Sequence, residues 1–294
     1  MSTSPYATLR RFNRAWTQRV GVLDESFLGS GRPLGPARLL FEIGPGGAGV
    51  LALRQRLGLD SGYLSRLLGR LVDEGLVEVL PDPADRRRRL ATLTARGRRE
   101  WQELEDRSER MARDLVAPLS ESQRARLDDA LATAELLVRA ATVELAAVPA
   151  DSPEAVAAVS SYVAELDRRF PGGFDPGDAL TADADALAPP YGTFVLARSA
   201  DEVVACGGVQ RIGDATAELK RMWVHPDWRG AGLGSRLLRH LEDDAARAGH
   251  RTVRLDTNGS LAEAIAMYGR AGYRPIERYN DNPYAQAWFE KALT

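Results

Sequence analysis

Apolar positions in the first half of the chain recur every three to four residues. Leu9, Phe12, Trp16, Val20, Leu23 and Phe27 trace one face of an amphipathic helix. Aromatics on such a stripe read as core or subunit contacts before they read as a ligand box. "GPARLLFEIG" predicts a second helix, stopped at Gly44 by Gly-Pro-Gly-Gly. "GVLALRQRLGLDSGYLSRLLGRLVDEGLV" predicts two more, parted by the tight turn Gly58-Leu59-Asp60, with either Asp60 or Ser61 as cap of the second. Leu64, Leu67, Leu68 and Leu71 form its buried stripe, and Gly75 lies just past its end. The spacing then changes to that of strands: "LVEVL" and "RRLATL" flank "PDPADRRR", a charged hairpin tip. Two long helices follow. Thr94 caps one that carries Trp101, Leu104, Met111 and Leu115, and Ser120 with Gln123 forms a capping box for one that carries Leu127, Leu131 and Val138.

The second half alternates differently. "VELAAV" predicts an opening strand, and Ser152-Pro153-Glu154 starts a helix over "AVAAVSSYVAEL". Beyond a loop rich in Asp, Ala and Pro come the strand candidates "GTFVLAR", "EVVACGGVQRI" and "TAELKRMWV", separated by short turns. A glycine turn and helix, the strand "TVRLDTN", the helix "SLAEAIAMYGRAG" and a last strand in "YAQAWFEKAL" complete the order. The fold class is therefore two-domain: an all-α N-terminal half with a β-hairpin wing, and an α/β C-terminal half with helices on a mixed, mainly antiparallel sheet.

Length and charge agree with two domains. At 294 residues the chain exceeds a usual single core. Residues 1–145 carry 23 basic against 20 acidic side chains, and residues 146–294 carry 16 against 21, so the halves should meet different partners. Composition shifts near "LAAVPADSPEA", and the division is set at 1–141 and 142–294. No apolar run approaches the ~20 residues of a membrane span, and "MSTSPYATLRRF" lacks a signal peptide's apolar stretch, so the expectation is a cytoplasmic protein with no membrane partner. Three scattered histidines offer no metal-ligand spacing, so no metal is expected. The lone cysteine, Cys206, sits in an apolar strand pattern that favours a buried thiol over a nucleophile.

A hairpin directly after a helix-turn-helix makes a winged helix. Its arginines alone read equally as a solvated loop. Beside a helix exposing Ser61, Tyr63, Ser65, Arg66 and Arg70, however, a tip carrying Arg86, Arg87 and Arg88 suits double-stranded DNA. The segment also resembles the MarR family of bacterial winged-helix regulators. The resemblance rests on Gly75-Leu76-Val77, on Asp82 with Asp85-Arg86-Arg87, and on Leu93-Thr94-Ala95-Arg96-Gly97. It implies a homodimer formed by the first and last helices. Such a dimer would address a pseudo-palindromic operator with half-sites ~34 Å apart.

"RGAGLGSRLL" puts three glycines at the start of a helix. It lacks the spacing of a dinucleotide fingerprint and the Gly-Lys-Ser/Thr of a P-loop, leaving either a plain tight turn or a general anion site at a helix N-terminus. Its surroundings resemble the GNAT superfamily of N-acetyltransferases, through Arg229, Gly232 and Gly234 and through "LDTNGSLAEAIAMYGRAGYRP". The resemblance implies acetyl-CoA as co-substrate. Its diphosphate would lie on Arg229, Gly230, Ala231, Gly232, Leu233, Gly234 and Ser235, and its pantetheine along Met222, Trp223 and Val224.

Tyr268 is then the acid for the departing thiolate, although its spacing from Leu261 and Ile265 also suits a core tyrosine. Glu218 is either the acceptor of the amine proton or a paired acid beside Lys220, and Asn258 falls where the family often holds cofactor or substrate. His225, before Pro226, reads as a turn residue. Substrate walls would come from "ELDRRFPGGFDPG" and "RYNDNPYAQAWF". The function expected is a DNA-binding regulator that also acetylates a small-molecule amine. One rival is a sensor that binds acetyl-CoA or an amine without turnover, and another is an enzyme whose winged helix serves only to dimerise.

Overall fold

The computed structural model describes residues 6–20, 25–83, 85–177, 184–200 and 202–293. They fall into two compact units, 1–128 and 129–294. In the first unit, α1 (Ala7–Arg19) ends with the Val20 N–H on the Trp16 carbonyl. The apolar spacing expected to run on to Phe27 is therefore not one helix. Phe27 lies in a separate 3₁₀ turn, and Leu23 lies outside the described residues. No residue of α1 is buried; Leu9, Phe12 and Trp16 stay exposed, with the latter two rings stacked at 5.9 Å.

Helices α2 (Leu34–Ile43), α3 (Val50–Leu57) and α4 (Ser61–Asp73) close a core around Leu39, Leu40, Leu53, Leu64 and Leu71. Asp60, one of the two candidate caps, takes the Tyr63 N–H on its side chain at 2.9 Å. A two-residue strand β1 (Ala48–Gly49) joins the hairpin of β2 (Val77–Pro81) and β3 (Arg89–Leu93) in the order β1-β3-β2. The Gly-Leu-Val and Leu-Thr-x-x-Gly segments form one joint between α4 and α5 (Ala95–Val116). The Thr94 hydroxyl donates to the Gly75 carbonyl at 2.7 Å and accepts the Gly97 N–H at 3.0 Å. Helix α6 (Glu121–Ala141) begins with the expected reciprocal bonds between Ser120 and Gln123.

The second unit is built on a seven-stranded sheet in the order β4-β5-β6-β7-β8-β10-β9. Its strands are β4 (Glu144–Val148), β5 (Gly192–Ser199), β6 (Glu202–Arg211), β7 (Thr216–Val224), β8 (Thr252–Thr257), β9 (Arg274–Ile276) and β10 (Ala287–Ala292). All neighbours are antiparallel except β7 and β8. Alternation along β5 separates two cores. Phe194 and Leu196 pack with α7 (Pro153–Arg169), whereas Val195 and Ala197 join Leu237 and Leu241 of α8 (Leu233–Arg247) and Tyr268 of α9 (Ala262–Arg270). Cys206 belongs to the first of these cores; burial pushes its thiol up to about 12, which leaves it inert as a nucleophile. Among the described residues no helix is long and apolar enough to cross a membrane.

Candidate functional site

Strands β7 and β8 pair only from Thr216–Thr252 to Glu218–Arg254 and then part. The register on the opposite edge of β7 gives the cause. Lys220 faces Gly208 and Trp223 faces Cys206, so Arg221 and Met222 bulge opposite Gly207, with Arg221 at φ 56°. The bulge turns β7 from its parallel neighbour. A cleft of about 460 Å³ fills the opening, walled by β7, β8, α7, α9 and the connection from β9 to β10. Met222 lines it, and among the described residues β7 pairs with β8 no further than Glu218.

Beside the end of β7, a 3₁₀ turn (Pro226–Trp228) leads into the glycines. His225 belongs to this turn, its Nδ1 accepting the Asp227 N–H. Gly230 and Gly232 take φ of 85° and 77°, with open space around a Cβ at either, so backbone conformation rather than crowding calls for glycine. Gly232 is the N-cap of α8 and offers no side-chain acceptor, so the first N–H groups, at Leu233, Gly234 and Ser235, meet no cap at the positive end of the helix dipole. A Cβ on Gly234 would touch Met267 and Val224, which fixes this first turn against α9 and the end of β7.

The Arg229 side chain points inward. Its guanidinium binds both oxygens of Glu165 and donates to the Val224 carbonyl at 2.9 Å and 3.0 Å, while Trp223 Nε1 donates to Glu165 at 2.8 Å. Burial alone would push the Glu165 carboxyl up; the hydrogen bonds from Arg229 and Trp223 outweigh it and hold the group below its usual range. Arg229 and Trp223 therefore brace α7, β7 and the turn through side chains, and the Arg229 N–H is itself bonded to the Pro226 carbonyl at 3.1 Å. Ala231 sits between the two left-handed glycines.

Glu218 is buried, and three donors hold its carboxylate. Tyr279 (2.7 Å) and Asn280 (3.1 Å) donate to one oxygen, Gln210 (2.7 Å) donates to the other, and the Lys220 ammonium lies 3.7 Å from that second oxygen. Asp256, on β8, takes one donor per oxygen, from Asn280 and Asn282. Each oxygen keeps room for another hydrogen. Tyr268 lines the cleft while its ring packs on Tyr273 and Phe289, so the core and site readings hold together. Burial, with lesser contributions from Tyr162 and Asp256, pushes its phenol well above the ordinary range and keeps it protonated near neutrality. Asn258 shapes the loop, donating to the Tyr284 carbonyl and accepting the Ser260 N–H.

The sequence pattern marks the strand that holds Asp256 but not the residue. Period-two spacing from Arg254 through Asp256 to Asn258 was the signal available. Glu165 carried none, its partners Arg229 and Trp223 lying 64 and 58 positions away.

In the first unit, Ser61, Tyr63, Ser65, Arg66 and Arg70 all lie exposed on the face of α4 opposite its leucines. The Arg66 guanidinium sits 5.7 Å from the Tyr63 ring centre, and Arg70 pairs with Glu74 at 3.0 Å. At the hairpin tip, Asp85 takes the Arg87 N–H, Arg86 and Arg87 are exposed, and the exposed Arg88 lies 3.4 Å from the Asp85 carboxylate; Ala84 lies outside the described residues. A solvated cationic loop thus flanks a polar helix face, as duplex recognition requires.

Residues 160–273 match the acetyltransferase (GNAT) family, and residues 30–88 match the MarR family. The chain is 35% identical over 141 residues to an IAA acetyltransferase of Azospirillum brasilense, covering 46% of this chain and 91% of that protein. It is 33% identical over 116 residues to the N-alpha-acetyltransferase RimI of Mycobacterium tuberculosis, covering 38% and 71%. A crystal structure of an acetyltransferase from Streptococcus agalactiae overlays 52% of this chain and 99% of its own, at 22% identity and a TM-score of 0.45. The chain belongs to the GNAT acetyltransferase family through its C-terminal unit and carries a MarR-family winged helix ahead of it. It is a fused regulator and acetyltransferase.

Proposed function

We propose that residues 142–294 transfer the acetyl group of acetyl-CoA to a small-molecule primary amine, and that residues 1–141 bind a pseudo-palindromic operator as a homodimer. The observation that carries the enzymatic reading is the uncapped glycine turn beside the parted strands. Amide hydrogens from Gly230 through Ser235 suit a diphosphate, and the edge of β7 at Met222 and Trp223 suits an extended amide-bearing arm; the Arg229 N–H is held by the Pro226 carbonyl and the Val224 carbonyl by the Arg229 guanidinium. When bound, acetyl-CoA supplies the acetyl group as a thioester.

Asp256 takes the amine proton, directly or through one water, because it is half-buried with one donor on each oxygen, whereas Glu218 is buried under three donors. Glu218 is a positioning residue: it holds Asn280, which in turn orients Asp256. Backbone N–H groups near Met222 polarise the carbonyl as the carbon–nitrogen bond forms and the carbon–sulfur bond breaks. The Tyr268 hydroxyl returns a proton to sulfur, and Asn258 shapes the loop beside the acceptor. A DNA-binding enzyme drawing on acetyl-CoA works in the cytoplasm.

Thiol release from acetyl-CoA with a panel of amines tests this reading. Tyr268→Phe is expected to lower kcat by about 10²-fold or more while the affinity for acetyl-CoA holds. Release no faster than in buffer for every amine would overturn it.

A further inference from the structure

One wall of the cleft is aromatic and held fixed. Phe174 lies 4.7 Å from Tyr284, 5.7 Å from Phe170 and 6.3 Å from Tyr162, ring centre to ring centre. Every polar atom of Tyr284 is engaged. Its hydroxyl accepts the Asp175 N–H at 3.0 Å and donates to the Asp175 carbonyl at 3.1 Å, its N–H goes to Asn282 at 3.1 Å, and its carbonyl takes Asn258 at 2.8 Å. Those bonds clasp the segment after α7 to the β9–β10 connection and set the rings before any ligand arrives. The Phe174 N–H is fixed on Asp167 at 3.0 Å.

The same cleft is lined by Asp256, with one donor on each oxygen, by Leu166, Leu255, Leu261 and Ala264, and by the charged side chains of Asp175, Glu218, Lys220, Arg221 and Asp281. A carboxylate in a cleft with a ring-lined wall suits one ammonium carried on a flat apolar group.

We infer that the acceptor is an arylalkyl primary amine, its ammonium at Asp256 and its ring against Phe174 and Tyr284. The inference rests on the transferase reading and names its substrate class.

The full-length protein is assayed with 2-phenylethylamine, n-butylamine, spermidine and L-phenylalanine, by thiol release and separately by calorimetry of amine binding without acetyl-CoA. Phenylethylamine is expected to show a kcat/KM at least about tenfold above the others, since one aromatic pairing accounts for about that factor. Phe174→Ala should raise KM for phenylethylamine about tenfold more than KM for butylamine, and Phe174→Tyr should restore it. If Phe174→Ala does not fold, Phe174→Leu keeps most of the volume, removes the ring and is read the same way.

Preference for butylamine, spermidine or phenylalanine overturns the inference and leaves the transferase reading standing, as does an equal rise in KM for both amines. Phenylethylamine binding that weakens in Phe174→Leu, with no thiol release from any amine, sinks the transferase reading and overturns the inference as a statement about an acceptor, leaving the cleft an arylalkylamine-binding site.

Discussion

A Cβ at Gly97 would lie 1.9 Å from the Leu76 carbonyl oxygen, which already accepts the Thr94 N–H at 3.0 Å. Backbone cannot yield there as a side chain would, so Gly97→Ala must prise α5 from the end of α4. The expected cost is about 1–3 kcal/mol, read as a lower urea midpoint for the N-terminal unit; an unchanged midpoint would refute the close approach. Four tyrosines of the C-terminal unit make a second residue-scale case. Burial is the leading cause of raised phenol values at Tyr162, Tyr268, Tyr273 and Tyr279, with Glu242 adding to Tyr273 and Glu218 to Tyr279; Tyr162 is pushed up to about 12. The folded chain therefore keeps these protons at a pH where the unfolded chain has lost them. Their contribution to stability is whole below about pH 10 and drains away as pH climbs toward 12. Urea midpoints of the C-terminal unit should fall steeply above about pH 10, and Tyr268→Phe should flatten the fall; a level profile to about pH 11.5 would contradict the burial.

Among the elements, the β2–β3 hairpin leaves Arg86 and Arg87 exposed, whereas Arg88 pairs with Asp85, Arg89 donates to the Val79 carbonyl and Arg70 on α4 is held by Glu74. Counterion release should thus come mainly from the tip. Replacing Arg86 and Arg87 by Ala is expected to flatten the plot of log affinity against log salt by about 1 for each phosphate left without its arginine. A fluorescence-anisotropy titration at several salt concentrations checks this, and an unaltered slope would remove the wing from the interface. The same elements mark what a sequence can and cannot convey. Strands β4 to β8 and β10 were legible because each is long enough for its own residues to alternate. Two residues of β1 and three of β9 are too few to show a period. Apolar spacing carried on to Phe27 although α1 stops at Arg19, because spacing reports a face and not an end. At the site, the glycine turn was readable since its parts are consecutive. The Glu165 brace and the Asp256–Asn280 pair were not, being joined only by folding across 64 and 24 positions.

For the molecule as a whole, α6 crosses the division between the two units at Asp128 and Asp129, and its last turn is fastened to the glycine turn. The Arg139 guanidinium lies 4.3 Å from the ring centre of Trp228, which is buried one position before Arg229. Arg236, in the first turn of α8, donates to the carbonyls of Ala140 at 3.0 Å and Val143 at 2.6 Å. These donors cap the C-terminal end of α6, where the helix dipole is negative. The end of α6 and the head of α8 thus form one joint of the C-terminal unit, and coupling of its ligand to the operator is the expectation to be tested. Linkage requires the effect to run both ways with one factor, and coupling of about 1–3 kcal/mol corresponds to about 5–150-fold. Operator affinity measured with and without saturating acetyl-CoA should differ by at least about fivefold, and acetyl-CoA affinity measured with and without operator should differ by the same ratio. Arg139→Ala, which loosens the stack on Trp228 and leaves the amides in place, should bring both ratios toward one together. Equal operator affinities in the two conditions would show that α6 joins the units without coupling them.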